Sequence, residues 1–305
     1  MAHKPFDPKQ FQRPAQSHLA REQERVLLDA ARSGDAGALE RLMAGLSGPV
    51  YRFGRGFCRN DADAEDLAQD VLITLLRVLP RLRGDSALST WAYVVAKRAC
   101  MRRRRRESRV ARLDQGDDAV ARRPDPGPAP PQRAERAELA TMLQRGIAAL
   151  PAEQREAVML RDVEGLAVED AARVAGLGVR AFKSRLHRGR LALREWLEPY
   201  RASGAPPGRP GCPDTARALS RALEGEIDPG ACARLESHVA TCGHCDAACR
   251  SLRDVLGACR AWGEKPLPRL FGTRVRGAIK RAVALHAAGS SPAARPRPRS
   301  ARRRP

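Results

Sequence analysis

The sequence predicts an all-α protein made of three small helical domains joined by linkers. Three observations carry this expectation. Apolar residues recur at helical spacing through most of the chain, strand-like alternation is missing, and the periodic blocks are separated by two Pro-rich stretches, 109–133 and 201–211, that read as linkers. A chain of 305 residues has room for two or three domains, each with a modest core. The net charge of +21 and pI near 10.9 come mostly from arginine, whose planar guanidinium suits phosphates and base edges. Nucleic acid is therefore the leading partner class. An anionic membrane surface competes, but no run of about 18 apolar residues exists to span a bilayer. The start, MAHKPFDPKQFQRP, lacks the charged-then-apolar order of a secretory signal, which points to the cytoplasm. There the eight cysteines are expected to be reduced, buried, metal-bound or redox-active. Aromatic residues at 4% argue against a sheet that stacks RNA bases.

Residues 1–22 are polar, without a clear period, and read as disordered. From 23 to 108 the spacing predicts a bundle of about four helices, broken at Ser47-Gly48-Pro49, Asn60-Asp61 and Gly84-Asp85. In DADAEDLAQDVLITLLRVL, Asp61 to Leu79, acids meet the positive end of a helix dipole. Leu67, Val71, Thr74, Leu75 and Val78 form its inward stripe, leaving Asp66, Gln69, Asp70 and Ile73 nearer the outer face. The next helix is expected to be capped at Ser89 or Thr90 and ends in five arginines, Arg102 to Arg106. Such a run is stable only where water or a polyanion screens it. Trp91 and Tyr93 on this helix offer rings that stack on unpaired bases while the arginines hold the backbone.

The second helical block covers 134–200. Pro151 opens a helix, Glu164-Gly165 breaks it, and a short helix from Val168 to Ala175 leads through Gly176-Leu177-Gly178 into a long helix from Val179. That order is a helix-turn-helix. Val179, Phe182, Leu186 and Leu193 share a face expected to pack inward. Arg180, Lys183, Ser184, His187 and Arg188 lie opposite, where a major groove would be read.

The third block, 212–262, holds six of the eight cysteines, and 263–305 reads as an amphipathic helix, Arg269 to His286, with a basic tail. His238, Cys242 and Cys245 have the spacing H-x3-C-x2-C, which supplies three convergent ligands of a tetrahedral zinc site. The intervening segment predicts helix, turn at Asp228-Pro229-Gly230, helix, a hairpin that returns Cys212 to the cluster as fourth ligand. Cys232, His244, Cys249 and Cys259 compete for that place, Cys249 most credibly. Four protein ligands close such a site, making Zn2+ structural. No nucleophile or acid–base pair accompanies it, so the protein is not expected to be an enzyme.

Three resemblances follow from these residues. The first block, with D-A-E-D-L-x-Q-D and G-D-S-x-x-x-T-W-x-Y-x-x-A-x-R, resembles domain 2 of the extracytoplasmic-function (ECF) RNA polymerase sigma factors. The resemblance implies that Asp66, Gln69, Asp70 and Ile73 dock on core RNA polymerase. It also implies that Arg83, Asp85, Ser86, Thr90, Trp91, Tyr93, Lys97 and Arg98 melt and read the −10 promoter element. The second block, with K-S-R-L-H-R-x-R from Lys183 to Arg190, resembles domain 4 of that family. There Arg180, Lys183, Ser184, Arg185, His187 and Arg188 would contact the −35 element. The start of its recognition helix, Arg180-Ala181-Phe182, departs from the small or hydroxyl residue followed by valine that is common in the family, so no −35 sequence is implied. The third block, with C-x25-H-x3-C-x2-C and the LEGEI turn, is similar to the zinc-binding anti-sigma domain, which blocks polymerase binding from between domains 2 and 4. The expected function is a sigma factor that binds core RNA polymerase and promoter DNA. Its zinc domain contacts its own sigma domains and regulates it in cis, as an inhibitor relieved by oxidation or metal exchange or as an activating contact. The competing reading is a partner-binding protein that no longer drives transcription.

Overall fold

In a computed structural model, the structure describes residues 21–58, 60–82, 88–111, 141–198, 211–264, 273 and 277–281. Among these no strand occurs, and every regular element is helical. Of the segment expected to be disordered, residues 1–20 lie outside the described residues, while 21 and 22 already belong to a helix; the expected linkers are described only at 109–111, which are helical, and at Gly211. The basic tail and most of the expected C-terminal helix also lie outside; of that helix, 273 and 277–281 are helical.

Four helices form the first bundle: α1 (Arg21–Arg32), α2 (Ala36–Phe57), α3 (Asp61–Val78) and α4 (Leu88–Ala111), with a 3-10 turn at Leu79–Arg81. Asp35 and Asn60 cap α2 and α3, each accepting a backbone N–H three residues on. The break expected at Ser47-Gly48-Pro49 does not occur. Proline removes one N–H, yet Ser47, Gly48, Pro49 and Val50 are all buried, and packing of that face carries α2 through the proline. The cap expected from Ser89 or Thr90 is also absent, since both lie buried inside the first turn of α4. Instead Glu24 of α1, itself buried, accepts the Leu88 N–H across the bundle.

The second bundle begins with α5 (141–149) and α6 (Ala152–Val158). The chain then widens into a π turn at Met159–Val163, where Glu164 N–H reaches back to Met159 O. Helices α7 (Val168–Ala175) and α8 (Val179–Leu197) follow, joined through Gly176 in the left-handed conformation at φ 73°. The α6 and α8 backbones approach closely at Gly189, where a Cβ would meet Val158 Cγ2 at 2.8 Å and Gln154 O at 3.1 Å. The third domain is α9 (Thr215–Leu223), α10 (Pro229–Thr241) and α11 (Gly243–Gly263), the hairpin turned by Asp228 as N-cap with Pro229 at the first helical position.

Two cores result. A small one joins Leu219, Leu223, Val239, Cys249, Leu252 and Leu256 around the third domain's cysteines. A large one runs through both of the first two bundles and takes in Val255, Cys259 and Trp262 from the end of α11, and Ile279. The two bundles meet on Glu164, which is fully buried. Arg52 of α2 donates from Nε and Nη2 to its two oxygens, at 3.0 and 3.1 Å, and Tyr93 OH donates to Oε2 at 2.9 Å. Burial pulls the Arg52 guanidinium down, but Glu164's charge and hydrogen bonds more than offset it and leave it above its ordinary value. Lys97 of α4 reaches across to Ala175 O at 2.8 Å, at the end of α7, and to Glu156 at 2.7 Å. Burial nonetheless leaves the Glu156 carboxyl above its ordinary value, with Lys97 opposing.

Replacing Glu164 by alanine strands Arg52 without its acid, a loss of about 3–5 kcal/mol for a broken buried pair. Small-angle scattering of Glu164→Ala should show a larger radius of gyration at unchanged helical circular dichroism; an unchanged radius contradicts the role of Glu164 in holding the two bundles together.

Candidate nucleic-acid interface and metal centre

Helix α8 buries Phe182, Leu186 and Leu193 as its sequence period requires. Val179 departs from that expectation and is 38% exposed, because the first turn of α8 projects before the helix reaches the core. Of the residues expected to read DNA, Arg180, Ser184 and Arg188 are exposed, while Lys183, Arg185 and His187 are half-buried. Arg185 pairs with Glu153 inside its own bundle at 3.2 Å.

Lys183 and His187 are covered by α9 and the LEGEID loop that follows it. Lys183 Nζ donates to Glu224 O at 2.8 Å. His187 lies between Ser220 Oγ, 2.8 Å from Nδ1, and Glu226 Oε2, 2.9 Å from Nε2. A neutral imidazole donating from Nε2 to the carboxylate and accepting the Ser220 hydroxyl satisfies both contacts. Burial, against the pull of Glu226, holds its pKa below the ordinary value and so favours that neutral form. One turn on, Arg190 is buried and fully engaged. It donates to Asp162 of the π turn at 2.6 and 3.0 Å, to Glu224 Oε1 at 2.7 Å and to Ser220 O at 3.3 Å. Arg161 holds the other Glu224 oxygen at 3.2 Å. Burial raises the Glu224 carboxyl, but the two guanidiniums more than reverse this and keep it below the ordinary range.

Sequence reasoning gave Glu224, Glu226, Ser220, Arg161, Asp162 and Glu164 no role at the site, reading LEGEI only as a turn and Glu164-Gly165 only as a helix break. The signal for the first two was present: LEGEID places three acids on the one turn of a domain tethered next to a basic helix. For Asp162 and Glu164 no local signal exists, because the π turn that aims them is a property of packing.

On α4 the expected −10 face is divided. Arg98 is exposed and Trp91 and Lys97 are half-buried, whereas Thr90 is 2% and Tyr93 0% exposed. The expectation that the Tyr93 ring stacks on bases is not met in this conformation, for it packs 5.4 Å from the Phe53 ring with its hydroxyl on Glu164. Arg83, Asp85 and Ser86 lie outside the described residues. On α3, Asp66, Gln69 and Asp70 are exposed and Ile73 is half-buried, along one outer face.

In the third domain the ligand atoms of Cys212, His238, Cys242 and Cys245 all lie within 4.8 Å of one another. His238 lies in the last turn of α10, Cys242 caps it, and Cys245 sits in the first turn of α11, so the H-x3-C-x2-C spacing wraps three donors about one helix junction. Cys212 and Cys242 sulfurs are 3.7 Å apart, close to the roughly 3.8 Å edge of a tetrahedron with Zn–S near 2.3 Å. Burial and the crowded Cys212 and Cys242 sulfurs push the Cys245 thiol up to about 12, a crowding that a divalent cation reverses by deprotonating coordinated thiols. The Cys245 backbone N–H acts oppositely on Cys242, drawing its thiol below the ordinary value. The donor set therefore fits zinc. Cys249, the competing ligand, is turned away and contacts Thr215 O at 3.8 Å, while Cys259 is buried in the larger core.

A helix-turn-helix bundle, a basic helical bundle and a four-donor Cys/His cluster together define a multidomain DNA-binding transcription factor. Three families match the chain: Sigma-70 region 2 over residues 42–110, Sigma-70 region 4 over 140–193 and a zinc-finger family over 212–245. The RNA polymerase sigma-H factor of Pseudomonas aeruginosa is 32% identical over 192 residues, covering 59% of this chain and 97% of that protein. The ECF RNA polymerase sigma factor SigM of Mycobacterium tuberculosis is 32% identical over 171 residues, covering 56% and 83%. A solved structure of the Bartonella quintana sigma factor RpoE with the anti-sigma factor NepR is 25% identical, with TM-score 0.42 over 51% of this chain and 94% of that one; at that score it says nothing about domain arrangement. The chain belongs to the ECF RNA polymerase sigma factors, which direct promoter recognition and transcription initiation. None of its described helices is long and apolar enough to cross a membrane.

The ligand assignment makes a discriminating expectation. Purified Cys249→Ala should retain its zinc through chelator challenge and Cys242→Ala should lose it; equal retention by both, or loss by Cys249→Ala alone, contradicts the cluster.

Proposed function

We propose that this sigma factor carries its own inhibitor: the zinc domain docks on the recognition helix and holds the chain in a promoter-blind state in the cytoplasm. The observation that carries this reading is that Lys183, His187 and Arg190, spaced along one face of α8, each find a partner in the α9 segment or its acidic loop. A helix whose side chains are committed there cannot also present them to a major groove. Packing of the two sigma bundles adds to the closure, since Tyr93 and Lys97 of the −10 helix are spent on Glu164 and on the end of α7.

In the open state Arg180, Lys183, Ser184, Arg185, His187 and Arg188 read the −35 element. Thr90, Trp91, Tyr93, Lys97 and Arg98, with Arg83, Asp85 and Ser86, serve the −10 element, and the α3 face of Asp66, Gln69, Asp70 and Ile73 docks on core polymerase. One zinc held by Cys212, His238, Cys242 and Cys245 supplies the cross-link that a domain of this size needs to stay folded. The quartet surrounds the small core of Leu219, Val239 and Leu252, so oxidation or removal of these thiolates dissolves the docking surface. A tether of about a dozen residues holds the domain at an effective concentration in roughly the millimolar range, so modest contacts suffice.

Run-off transcription with core polymerase tests the reading. A 1–205 chain should transcribe more strongly than the full-length protein. Full-length Glu224→Gln should approach it, because losing a charge-assisted hydrogen bond costs about 1.5–3 kcal/mol, on the order of ten- to hundredfold in the closed-to-open ratio. Truncated and mutant chains no more active than the full-length protein contradict autoinhibition.

Acidification should act in the same direction. The docked His187 has its pKa below the ordinary value of about 6.5, so docking is strongest where the imidazole is neutral in both states and weakens as pH falls through and below 6.5. Limited proteolysis of the linker between α8 and α9 should accelerate between pH 7.5 and 5.5 in the full-length chain and not in His187→Gln. Rates independent of pH in the full-length chain contradict the neutral bridge.

A further inference from the structure

Two cysteines remain outside the zinc domain. Cys58 and Cys100, 42 residues apart in sequence, bring their sulfurs to 3.9 Å, in van der Waals contact and remote in sequence from the zinc quartet. We infer that Cys58 and Cys100 form a reversible dithiol–disulfide site within sigma domain 2, oxidised by peroxide.

The fold brings these thiols together from two packed helices. On α4, Tyr93, Ala96 and Cys100 follow one another at i, i+3 and i+7 on the buried face. On α2, Phe53 packs 5.4 Å from the Tyr93 ring and 4.7 Å from Phe57, directly before Cys58. The aromatic contact thus fixes the helix spacing, and the thiols meet at its end. A disulfide needs about 2.05 Å between sulfurs, so they must close by roughly 2 Å. Cys58 can supply this movement because it is the C-cap of α2, with extended backbone at φ −83° and ψ 161°. The bond therefore does not have to bend a regular helix.

The two thiols also differ in the way a peroxide-driven pair requires. Cys58 is half-buried and accessible, and Cys100 is 5% exposed. Cys58 stands two residues before Asn60, the N-cap of α3. The acids of that first turn are neutralised, Asp61 by Arg55 at 2.8 Å and Asp63 by Arg103.

The chemistry balances with peroxide as the oxidant. The Cys58 thiolate attacks one peroxide oxygen, the O–O bond breaks, and the released hydroxide takes a proton to leave as water, giving a sulfenic acid. The Cys100 sulfur then attacks the Cys58 sulfur, the S–O bond breaks, and a second water leaves. Two thiols have given up two electrons, and one peroxide has become two waters. The resulting bond encloses all of α3, with Asp66, Gln69, Asp70 and Ile73, and ties both ends of that loop together.

The test uses the full-length zinc-loaded chain, titrated with hydrogen peroxide, alkylated, digested without reductant and read by mass spectrometry, with released zinc followed by a chromophoric chelator. The site predicts a Cys58–Cys100 cross-linked peptide, reversed by dithiothreitol, that also forms in a Cys242→Ser chain. Cys58→Ser should leave Cys100 an alkylatable thiol. Cys100→Ser should leave Cys58 as a sulfenic acid trapped by dimedone. Circular dichroism should show both variants folded. Cys58 and Cys100 remaining free thiols while the zinc cysteines oxidise, or Cys58 joined to another cysteine, overturns the inference and leaves the autoinhibition reading untouched.

Discussion

The burial of Arg190 is the constraint on which the arrangement turns. A guanidinium cannot give up its proton, so its removal from water has to be offset by fixed negative charge. Asp162 supplies part of that charge from within the same bundle, and Glu224 supplies the rest from the zinc domain. Burial lowers the Arg190 pKa and the two carboxylates more than restore it, leaving it above the ordinary value. Glu224 in turn needs Arg161 for its second oxygen. The four side chains are a closed set in which each charge answers another, three contributed by the helix-turn-helix bundle and one, Glu224, by the zinc domain.

Such a set orients more than it binds. When the domains separate, water rehydrates every member, so a buried ion network contributes less to affinity than its Coulomb energy suggests and more to register. Among the described residues of the zinc domain, the apolar part of the docking lies at one end of α11, where Val255, Cys259 and Trp262 enter the larger core. Glu164 has the same character between the two sigma bundles, holding Arg52 and Tyr93 within an apolar core that both bundles share. Interfaces of this kind open at moderate cost, which is what a factor needs if polymerase and promoter are to compete for the same side chains.

Much of this was legible in the sequence because it is local. The helix-turn-helix glycines, the Asp228-Pro229 turn and the H-x3-C-x2-C spacing act within a few residues, and α7, α8 and α10 form where those signals place them. Pro49 shows where local reading fails, since burial of its helix face outweighs the missing N–H. Tyr93 shows the same failure for function: an aromatic beside arginines reads as a stacking platform, yet a partner 71 residues away claims its hydroxyl. The zinc quartet needed only the hairpin inference for Cys212. The Arg190 network needed knowledge of which domain lies on which, and only the acidic LEGEID loop hinted at it.

The central claim is that the zinc domain occupies the DNA-reading face of α8. Its most direct measure is the amine reactivity of Lys183, whose Nζ is held 2.8 Å from Glu224 O. Brief acetylation of the full-length chain, read by mass spectrometry, should find Lys183 protected while zinc is bound and as reactive as in the 1–205 chain once a chelator has stripped it. Equal Lys183 reactivity in the zinc-loaded and truncated chains would contradict the account.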